Sequence, residues 1–189
     1  MTGELSQLPK VLREIHEDKT LLEPIIFHVP TNEKIAYKML EVAQLKPGEI
    51  VCDLGSGDGS LLIPAARDFG AHCVGIEINP KLVALAQKKA KKFGLGEDRI
   101  KFINDNFFNR KFWHYTGSRD EYVVRRADVV TIYLCYNANE LLRKMLSFEL
   151  RPEARVVSHD FPIKYWEPSY EKVYEDGDSI YMYEMSKVL

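Results

Sequence analysis

Cysteines and long apolar runs are scarce in this chain of 189 residues, and their scarcity excludes several classes of protein. There are only three cysteines, Cys52, Cys73 and Cys135, and none of them stands in a C-x-x-C spacing. We predict that they are small core residues in a reducing compartment, and we expect no metal site. No apolar run approaches ~18 residues and residues 1–22 lack a signal-peptide pattern, which predicts a soluble, cytoplasmic protein without a membrane partner.

An excess of charge of one sign is also lacking. The chain has 26 basic and 28 acidic residues, a net charge of −2. A large footprint on DNA or duplex RNA is therefore not expected, although a small local contact with nucleic acid stays open. The length fits one domain, which we divide into an N-terminal helical segment (1–46) and an α/β core (47–189).

The core shows an alternation of two patterns. Between residues 49 and 160, short runs rich in β-branched residues alternate with longer helical stretches, which predicts a parallel sheet with helices on both faces. Asn79 and Pro80 are a typical helix start, an N-cap residue followed by proline, and Gly94 ends that helix. The other predicted helices are 60–69 and 138–148. The predicted strands are 50–54, 72–78, 100–103, 127–134 and 154–159.

Two further strands follow the alternating part. Residues 170–173 and 180–185 flank Asp176-Gly177-Asp178, which is typical of the turn in an antiparallel hairpin. Plain dinucleotide-binding domains lack such a hairpin. The chain therefore predicts a Rossmann-like α/β fold of the methyltransferase type, a seven-stranded sheet that is mostly parallel, with a C-terminal antiparallel hairpin and helices on both faces.

Two regions lie outside this alternation. The N-terminal segment predicts helices over 10–22 and 31–43, the second with Thr31 as its N-cap. Residues 109–126 form an insertion, and loops longer than about 12–15 residues are usually functional or mobile. Its aromatic residues, among them Trp113, suit either a recognition loop or a solvated loop with one packed anchor. The lysines within 88–92 are expected on the wet face of their helix.

A glycine-rich loop follows the first predicted strand. Asp53 ends that strand, and glycines stand at 55, 57 and 59. Glycine suits a sharp strand-to-helix turn and lets a ligand approach the bare backbone. The free N–H groups at the start of the next helix suit an anionic group such as a carboxylate.

Acidic residues near this loop indicate which cofactor it binds. Glu77 ends the second predicted strand about 20 residues further on, where a carboxylate grips a ribose diol. The glycine spacing is G-x-G-x-G rather than the dinucleotide fingerprint G-x-G-x-x-G. An acidic loop repels a pyrophosphate but orients the cationic amino and sulfonium groups of S-adenosylmethionine. Together with Asp105 after the third strand, these features predict S-adenosylmethionine as the cofactor.

The sequence resembles the small archaeal protein-lysine methyltransferases of the seven-strand class, and more distantly their mitochondrial counterparts. The resemblance covers residues 26 to 186, and its longest landmark is VCDLGSGDG at 51–59. Further landmarks are VPTNEK at 29–34, GIEIN at 75–79, NFF at 106–108, IYLCYNANELL at 132–142 and VVSHDF at 156–161. The chain departs from the family at Asn32, where a second proline is usual, and in its longer insertion, and both departures bear on the substrate.

The resemblance implies a set of cofactor-binding residues. In that set Asp105 and Asn106 would address the adenine beside Phe107, and Pro30 and Thr31 would form a lid over the methionine end. The full set is Pro30, Thr31, Asp53, Gly55, Ser56, Gly57, Glu77, Ile78, Asp105, Asn106 and Phe107.

The resemblance also implies an acceptor side, where a lysine of a protein substrate would meet the methyl group. Tyr133 and Leu134 would line this channel, and Tyr133 either orients the amine or is a plain strand aromatic. We add Asn137 as a candidate catalytic residue, although it could instead cap the following helix. His159 could act as a base or be a structural histidine. A lysine must lose its proton to react, and an apolar aromatic channel favours its neutral form.

Other functions stay open at this point. The chain could methylate RNA or a small molecule rather than a protein lysine. The [DN]PP[YF] motif of nucleic-acid amino methylation is replaced here by residues 134–137, Leu-Cys-Tyr-Asn. A non-catalytic binding module with the same fold is a further alternative, which the intact Asp53, glycine loop and Glu77 disfavour.

Overall fold

The fold is built on a seven-stranded sheet in the order β3-β2-β1-β4-β5-β7-β6. The computed structural model describes residues 30–113 and 123–188. The first five strands are parallel, and β7 runs antiparallel to both β5 and β6. The strands are β1 (Ile50–Leu54), β2 (His72–Glu77), β3 (Ile100–Asn104), β4 (Val129–Ile132), β5 (Arg155–His159), β6 (Tyr170–Val173) and β7 (Ser179–Glu184).

Helices cover both faces of this sheet, as predicted. Alternate residues of each strand point to opposite faces, so the central strands β1 and β4 are buried on both sides. One apolar cluster joins Val51 and Phe102 to the first three helices, and the other joins Cys52 and Trp113 to the fifth. The helices are α1 (Glu33–Val42), α2 (Leu62–Arg67), α3 (Pro80–Lys92), α4 (Val123–Arg126), α5 (Tyr136–Glu149) and α6 (Met185–Val188).

Some predicted boundaries were wrong. Thr31 is not the N-cap of α1, because the side chain of Asn32 accepts the N–H of Lys34 at 2.9 Å. Strand β4 ends at Ile132 rather than at residue 134, since the next three residues leave the sheet. Helix α5 then starts two residues earlier than predicted, with Cys135 at its N-cap. Asn137 is therefore an exposed residue of the first turn and not a cap.

The C-terminal hairpin is confirmed, but its connection is longer than the predicted tight turn. Residues 174–178 join β6 to β7, and the loop is closed by the N–H of Tyr174, which donates to the carbonyl of Asp178 at 2.8 Å. Gly177 has a φ of +93°, which favours glycine there. The predicted helix over 10–22 lies outside the described residues, as do residues 114–122 of the insertion. Within the described part of the chain, no helix is long and apolar enough to cross a membrane.

Candidate active site

The glycine loop joins β1 to α2 at the carboxyl ends of the strands. The N–H groups of Gly55 and Ser56 donate to the carbonyl of Ile76 in β2, at 2.9 and 3.2 Å. Gly55, Gly57 and Gly59 all have positive φ, at +88°, +52° and +78°. The loop is thus tied to the neighbouring strand and follows a path that favours glycine, which confirms the predicted turn.

The three glycines do not serve the same purpose. A Cβ at Gly55 would lie 3.1 Å from Leu134 Cδ2, so this glycine faces the predicted acceptor side. A Cβ at Gly59 would lie only 2.8 Å from Cζ of Phe102 in β3. Gly59 therefore lets the loop pack against the sheet, as the third glycine of a dinucleotide fingerprint does.

Ser56 turns its side chain away from the open edge of the sheet. Among the described residues its buried Oγ has no hydrogen-bond partner, and it lies against Gly75 of β2, where a Cβ would approach that oxygen to 2.4 Å. The serine side chain fills the space that glycine leaves. Ser56 thus offers a ligand its backbone rather than its hydroxyl.

Glu77 ends β2 with a carboxylate that is almost fully buried. Its Oε2 accepts the N–H of Gly57 at 2.9 Å and its Oε1 accepts the N–H of Asn79 at 2.8 Å. A carboxylate has about four lone-pair sites, so each oxygen keeps one for a further donor. The carboxylate is fixed in direction and able to take two hydroxyl groups, which fits a ribose diol.

Asp53 ends β1 and is equally well buried. The hydroxyl of Thr131 donates to its Oδ1 at 2.8 Å. Burial raises the pKa of Asp53 to about 7, against the Thr131 hydrogen bond, and the charge of Glu77 adds to the rise. Two buried carboxylates are costly without a positive partner, so this edge of the sheet fits a cationic ligand such as the predicted cofactor. Sequence analysis missed Thr131, whose signal was a lone hydroxyl in the apolar run of β4.

The second acid of the glycine loop, Asp58, has a partner within the protein. Asp58 forms an ion pair with Lys89 of α3 at 2.5 Å and accepts the hydroxyl of Ser60 at 2.6 Å. Burial raises the pKa of Asp58, but these partners outweigh it and hold the pKa below its usual value. The prediction that the lysines of 88–92 only face solvent was therefore wrong for Lys89.

The predicted adenine side lies beyond β3. Asp105 pairs with Lys111, and its Oδ1 accepts the N–H of Asn106 at 2.7 Å. The Asn106 side chain accepts the N–H of Phe108 at 2.9 Å, which shapes the turn. These hydrogen bonds use part of the Asp105 and Asn106 side chains, and the contact of these two residues with adenine stays a prediction.

Two apolar side chains flank this region. Phe107 lies 4.0 Å from the position of a Cβ at Gly55, and Ile78 is 42% exposed after β2. Trp113 is fully buried and donates its Nε1–H to the carbonyl of Phe107 at 2.7 Å. Trp113 is thus the packed anchor of the insertion, and His114 and Tyr115 lie outside the described residues.

Tyr133 and Leu134 follow β4 and make different contacts. Leu134 faces Gly55, whereas the hydroxyl of Tyr133 donates to Oδ2 of Asp160 at 3.1 Å. Burial and the neighbouring Asp160 raise the pKa of Tyr133 to about 12. Its ring lies tilted by 37° against that of His159, with centroids 3.9 Å apart, and the ring of Phe161 stacks with it at 6.4 Å. The structure thus brings an apolar side chain to the glycine loop and an aromatic wall to the neighbouring ends of β4 and β5.

Four candidates remain, His159, Asn137, Pro30 and Thr31. Nε2 of His159 is 2.9 Å from Oδ1 of Asp178 in the hairpin loop and the residue is 2% exposed, which fits the structural alternative. Asn137 is exposed and is the second residue of α5, directly after Tyr136. Pro30 is exposed and Thr31 half-buried ahead of α1, and their role as a lid stays a prediction.

Comparison with known proteins identifies the family. The family described as the ANTKMT methyltransferase domain matches residues 53–170, from the end of β1 to the start of β6. The chain belongs to this family. The match begins at Asp53 and contains the glycine loop, Glu77 and the aromatic wall.

Several relatives are similar to this ANTKMT-family chain over most of its length. A protein-lysine N-methyltransferase of Saccharolobus islandicus is 38% identical over 164 residues, which are 85% of this chain and 94% of the relative. The adenine nucleotide translocase lysine N-methyltransferase of Mus musculus is 29% identical over 87% of this chain and 69% of its own length. A solved structure described as an RNA methyltransferase of Salinibacter ruber, in complex with S-adenosyl-L-homocysteine, superposes with a TM-score of 0.73 at 38% identity and covers 83% of this chain and 94% of that one.

These findings confirm the predicted fold, activity and cofactor. The chain is a methyltransferase of the Rossmann-like seven-stranded class, and it uses S-adenosylmethionine. The carboxylates of Asp53 and Glu77 and the glycine cradle fit that cofactor, as described above.

Proposed function

We propose that this ANTKMT-family methyltransferase transfers methyl groups from S-adenosylmethionine to the ε-amino groups of lysines in protein substrates. The observation that carries the proposal is the aromatic wall at the neighbouring ends of β4 and β5, formed by Tyr133 and Phe161. Leu134, the residue after Tyr133, faces Gly55 of the glycine loop. Relatives that cover most of the chain and are named lysine N-methyltransferases support it.

The proposed cofactor site uses the two buried carboxylates in different ways. Glu77 takes the ribose hydroxyls, and Asp53 faces the cationic methionine end from the bottom of the loop. Gly55, Ser56 and Gly57 bring the backbone close, and Ile78 and Phe107 flank the adenine. Further members of the site are Asp105 and Asn106 at the adenine and Pro30 and Thr31 as the lid.

The proposed acceptor chemistry depends on desolvation and positioning. When bound, S-adenosylmethionine supplies an activated methyl group next to Leu134. A lysine with an ordinary pKa of about 10.4 loses its proton at pH 7 at a cost of roughly 4–5 kcal/mol. The apolar and aromatic side chains of the wall disfavour the ammonium form and so reduce that cost. Tyr133 orients the amine, and Asn137 lies at the entrance of the channel.

A transfer assay in a native cell extract tests this function. Isotopically labelled methyl from S-adenosylmethionine is added with the wild-type enzyme, and samples are treated with nuclease or protease. We expect label that survives nuclease, is lost on proteolysis and maps to lysine by mass spectrometry. The variant Glu77→Ala is the matched control, and it should give no label because the cofactor is not bound.

RNA is the second candidate acceptor. The solved Salinibacter ruber structure, described as an RNA methyltransferase, is as similar in sequence as the archaeal lysine methyltransferase. The near-neutral charge of this chain favours protein over RNA. Label lost with nuclease would replace the lysine assignment by RNA. We also propose a cytoplasmic location, which cell fractionation with an antibody against the chain would check.

A further inference from the structure

Asp160 has an unusual backbone conformation at the end of β5. Its φ is +59°, in the left-handed region that few residues other than glycine adopt, although aspartate tolerates it better than most. Two hydrogen bonds to Ser179 in β7 hold it there. The N–H of Asp160 donates to the carbonyl of Ser179 at 2.7 Å, and the N–H of Ser179 donates to Oδ1 of Asp160 at 2.9 Å.

This arrangement fixes the second carboxylate oxygen. Oδ2 of Asp160 accepts the hydroxyl proton of Tyr133 at 3.1 Å. A carboxylate only accepts hydrogen bonds, so the direction of this bond is set. The phenol keeps its proton, because burial and Asp160 raise the pKa of Tyr133 to about 12. The Tyr133 oxygen is left with lone pairs and no proton to give.

The direction of that proton matters for an amine acceptor. A free phenol beside a neutral amine donates its proton to the nitrogen lone pair, and this is the electron pair that must attack the methyl group. A phenol whose proton is already committed accepts an N–H of the amine instead. The nitrogen lone pair then stays available.

We propose, on the basis of the lysine function above, that Asp160 is a positioning residue that turns Tyr133 into a hydrogen-bond acceptor for the substrate amine. In the transfer step the nitrogen lone pair forms the N–C bond while the C–S bond breaks. The electron pair of that bond goes to sulfur, and the methylated ammonium later gives its proton to solvent. Asp160 takes no part in covalent chemistry.

The variants Asp160→Asn, Tyr133→Phe and their combination test this role on a lysine peptide that the wild type methylates. Asparagine keeps the oxygen that accepts the Ser179 N–H and tolerates left-handed backbone, but its amide can donate to Tyr133. We expect D160N to lower kcat by about tenfold, with KM within about threefold, because the amine still binds but its lone pair is blocked. Affinity for S-adenosylhomocysteine should stay within about twofold.

The double variant separates positioning from packing. Without the phenol there is no proton to direct, so Y133F/D160N should turn over like Y133F alone. Asp176→Asn is the matched control, because Asp176 is an exposed residue of the hairpin loop that pairs with Lys38, and its kcat should stay within about twofold of the wild type.

Other results would overturn the inference. One is an equal kcat for D160N and the wild type. Another is a D160N substitution that lowers kcat by the same factor in Y133F as in the wild type. The third is loss of S-adenosylhomocysteine binding in D160N. The position of the label in the wild-type reaction tests the lysine function separately. If that label is not on a lysine amine, the lysine function fails, and if the labelled acceptor has no amine nitrogen at all, both proposals are wrong.

Discussion

Asp53 and Glu77 end neighbouring strands, and at 6% and 4% exposure both carboxylates are almost out of contact with water. Glu77 has two backbone N–H donors, whereas among its described contacts Asp53 has the single hydroxyl of Thr131. Because only one described hydrogen bond stabilises the charged form of Asp53, burial outweighs it and raises the pKa of this residue. In the proposed site the cofactor supplies the positive charge that this residue lacks, so on that proposal the free enzyme carries a destabilised group where the cofactor binds.

Replacement of Asp53 should therefore change how stability depends on pH. The folded pKa of about 7 lies above the ordinary value of 3.8, so the folded state binds the proton more tightly. Stability from this residue is present at low pH and is lost as pH rises through about 7, by on the order of 4 kcal/mol. Asp53→Asn removes that loss. Without cofactor, its free energy of unfolding should rise relative to that of the wild type between about pH 4 and about pH 7, and the difference should level off above that range.

Urea unfolding across this pH range measures the effect. Asp98→Asn, at an exposed position, is the control and should follow the wild-type curve. Parallel curves for the wild type and Asp53→Asn would show that Asp53 is ionised at little cost.

Gly59 and Gly94 allow a second test at the scale of single residues. Both have left-handed backbone, with φ of +78° and +71°, but a Cβ at Gly59 meets Phe102 at 2.8 Å while one at Gly94 meets nothing within 4 Å. Alanine should cost about 1 kcal/mol at Gly94, from the backbone alone. At Gly59 overpacking adds roughly 1–3 kcal/mol. Equal losses in urea unfolding would remove the packing role from Gly59.

Helices and strands were largely predictable because their periodic patterns depend on short stretches of chain. β1 agrees residue for residue with its prediction, and α3 starts at the predicted Asn79 cap, whose side chain accepts the N–H of Lys81. The end of β4 was not predictable. Tyr133 and Leu134 continue its apolar run, yet they leave the sheet to meet Asp160 and the glycine loop.

Site residues were predictable by position rather than by orientation. The pattern placed Asp53, Gly55 and Glu77 at one edge of the sheet, and the structure brings them together. It could not show that Ser56 turns inward, because that depends on Gly75, which is distant in the sequence. Nor could it show the partner of Asp58, since Lys89 comes from another helix.

The N-cap of α1 gives a test at the scale of elements. Two capping residues stand side by side, and the structure selects Asn32 over Thr31. Asn32→Ala should lower the free energy of unfolding by about 1 kcal/mol, because the N–H of Lys34 loses its acceptor. Thr31→Ala should change it by less than about 0.5 kcal/mol. The reverse order in chemical denaturation would restore Thr31 as the cap.

Cofactor binding should stabilise the molecule as a whole, because the proposed site joins β1, β2 and the loop that follows β3. S-adenosylhomocysteine at about 100 times its Kd adds about 2.7 kcal/mol, which for this size raises Tm by roughly 5–10 °C. Glu77→Ala should abolish the shift, and Lys92→Ala, at the exposed end of α3, should keep it. A full shift in Glu77→Ala, read by differential scanning fluorimetry, would move the ribose site elsewhere.

The strand order also has a consequence for synthesis on the ribosome. β7 lies between β5 and β6, so the edge of β5 with the buried Val156 and Val157 finds its partner only when residues 179–184 have been made. Until then the nascent chain presents an unpaired apolar strand, which is a template for aggregation. Chaperones that hold nascent chains should therefore matter most for this enzyme during translation of its last strand.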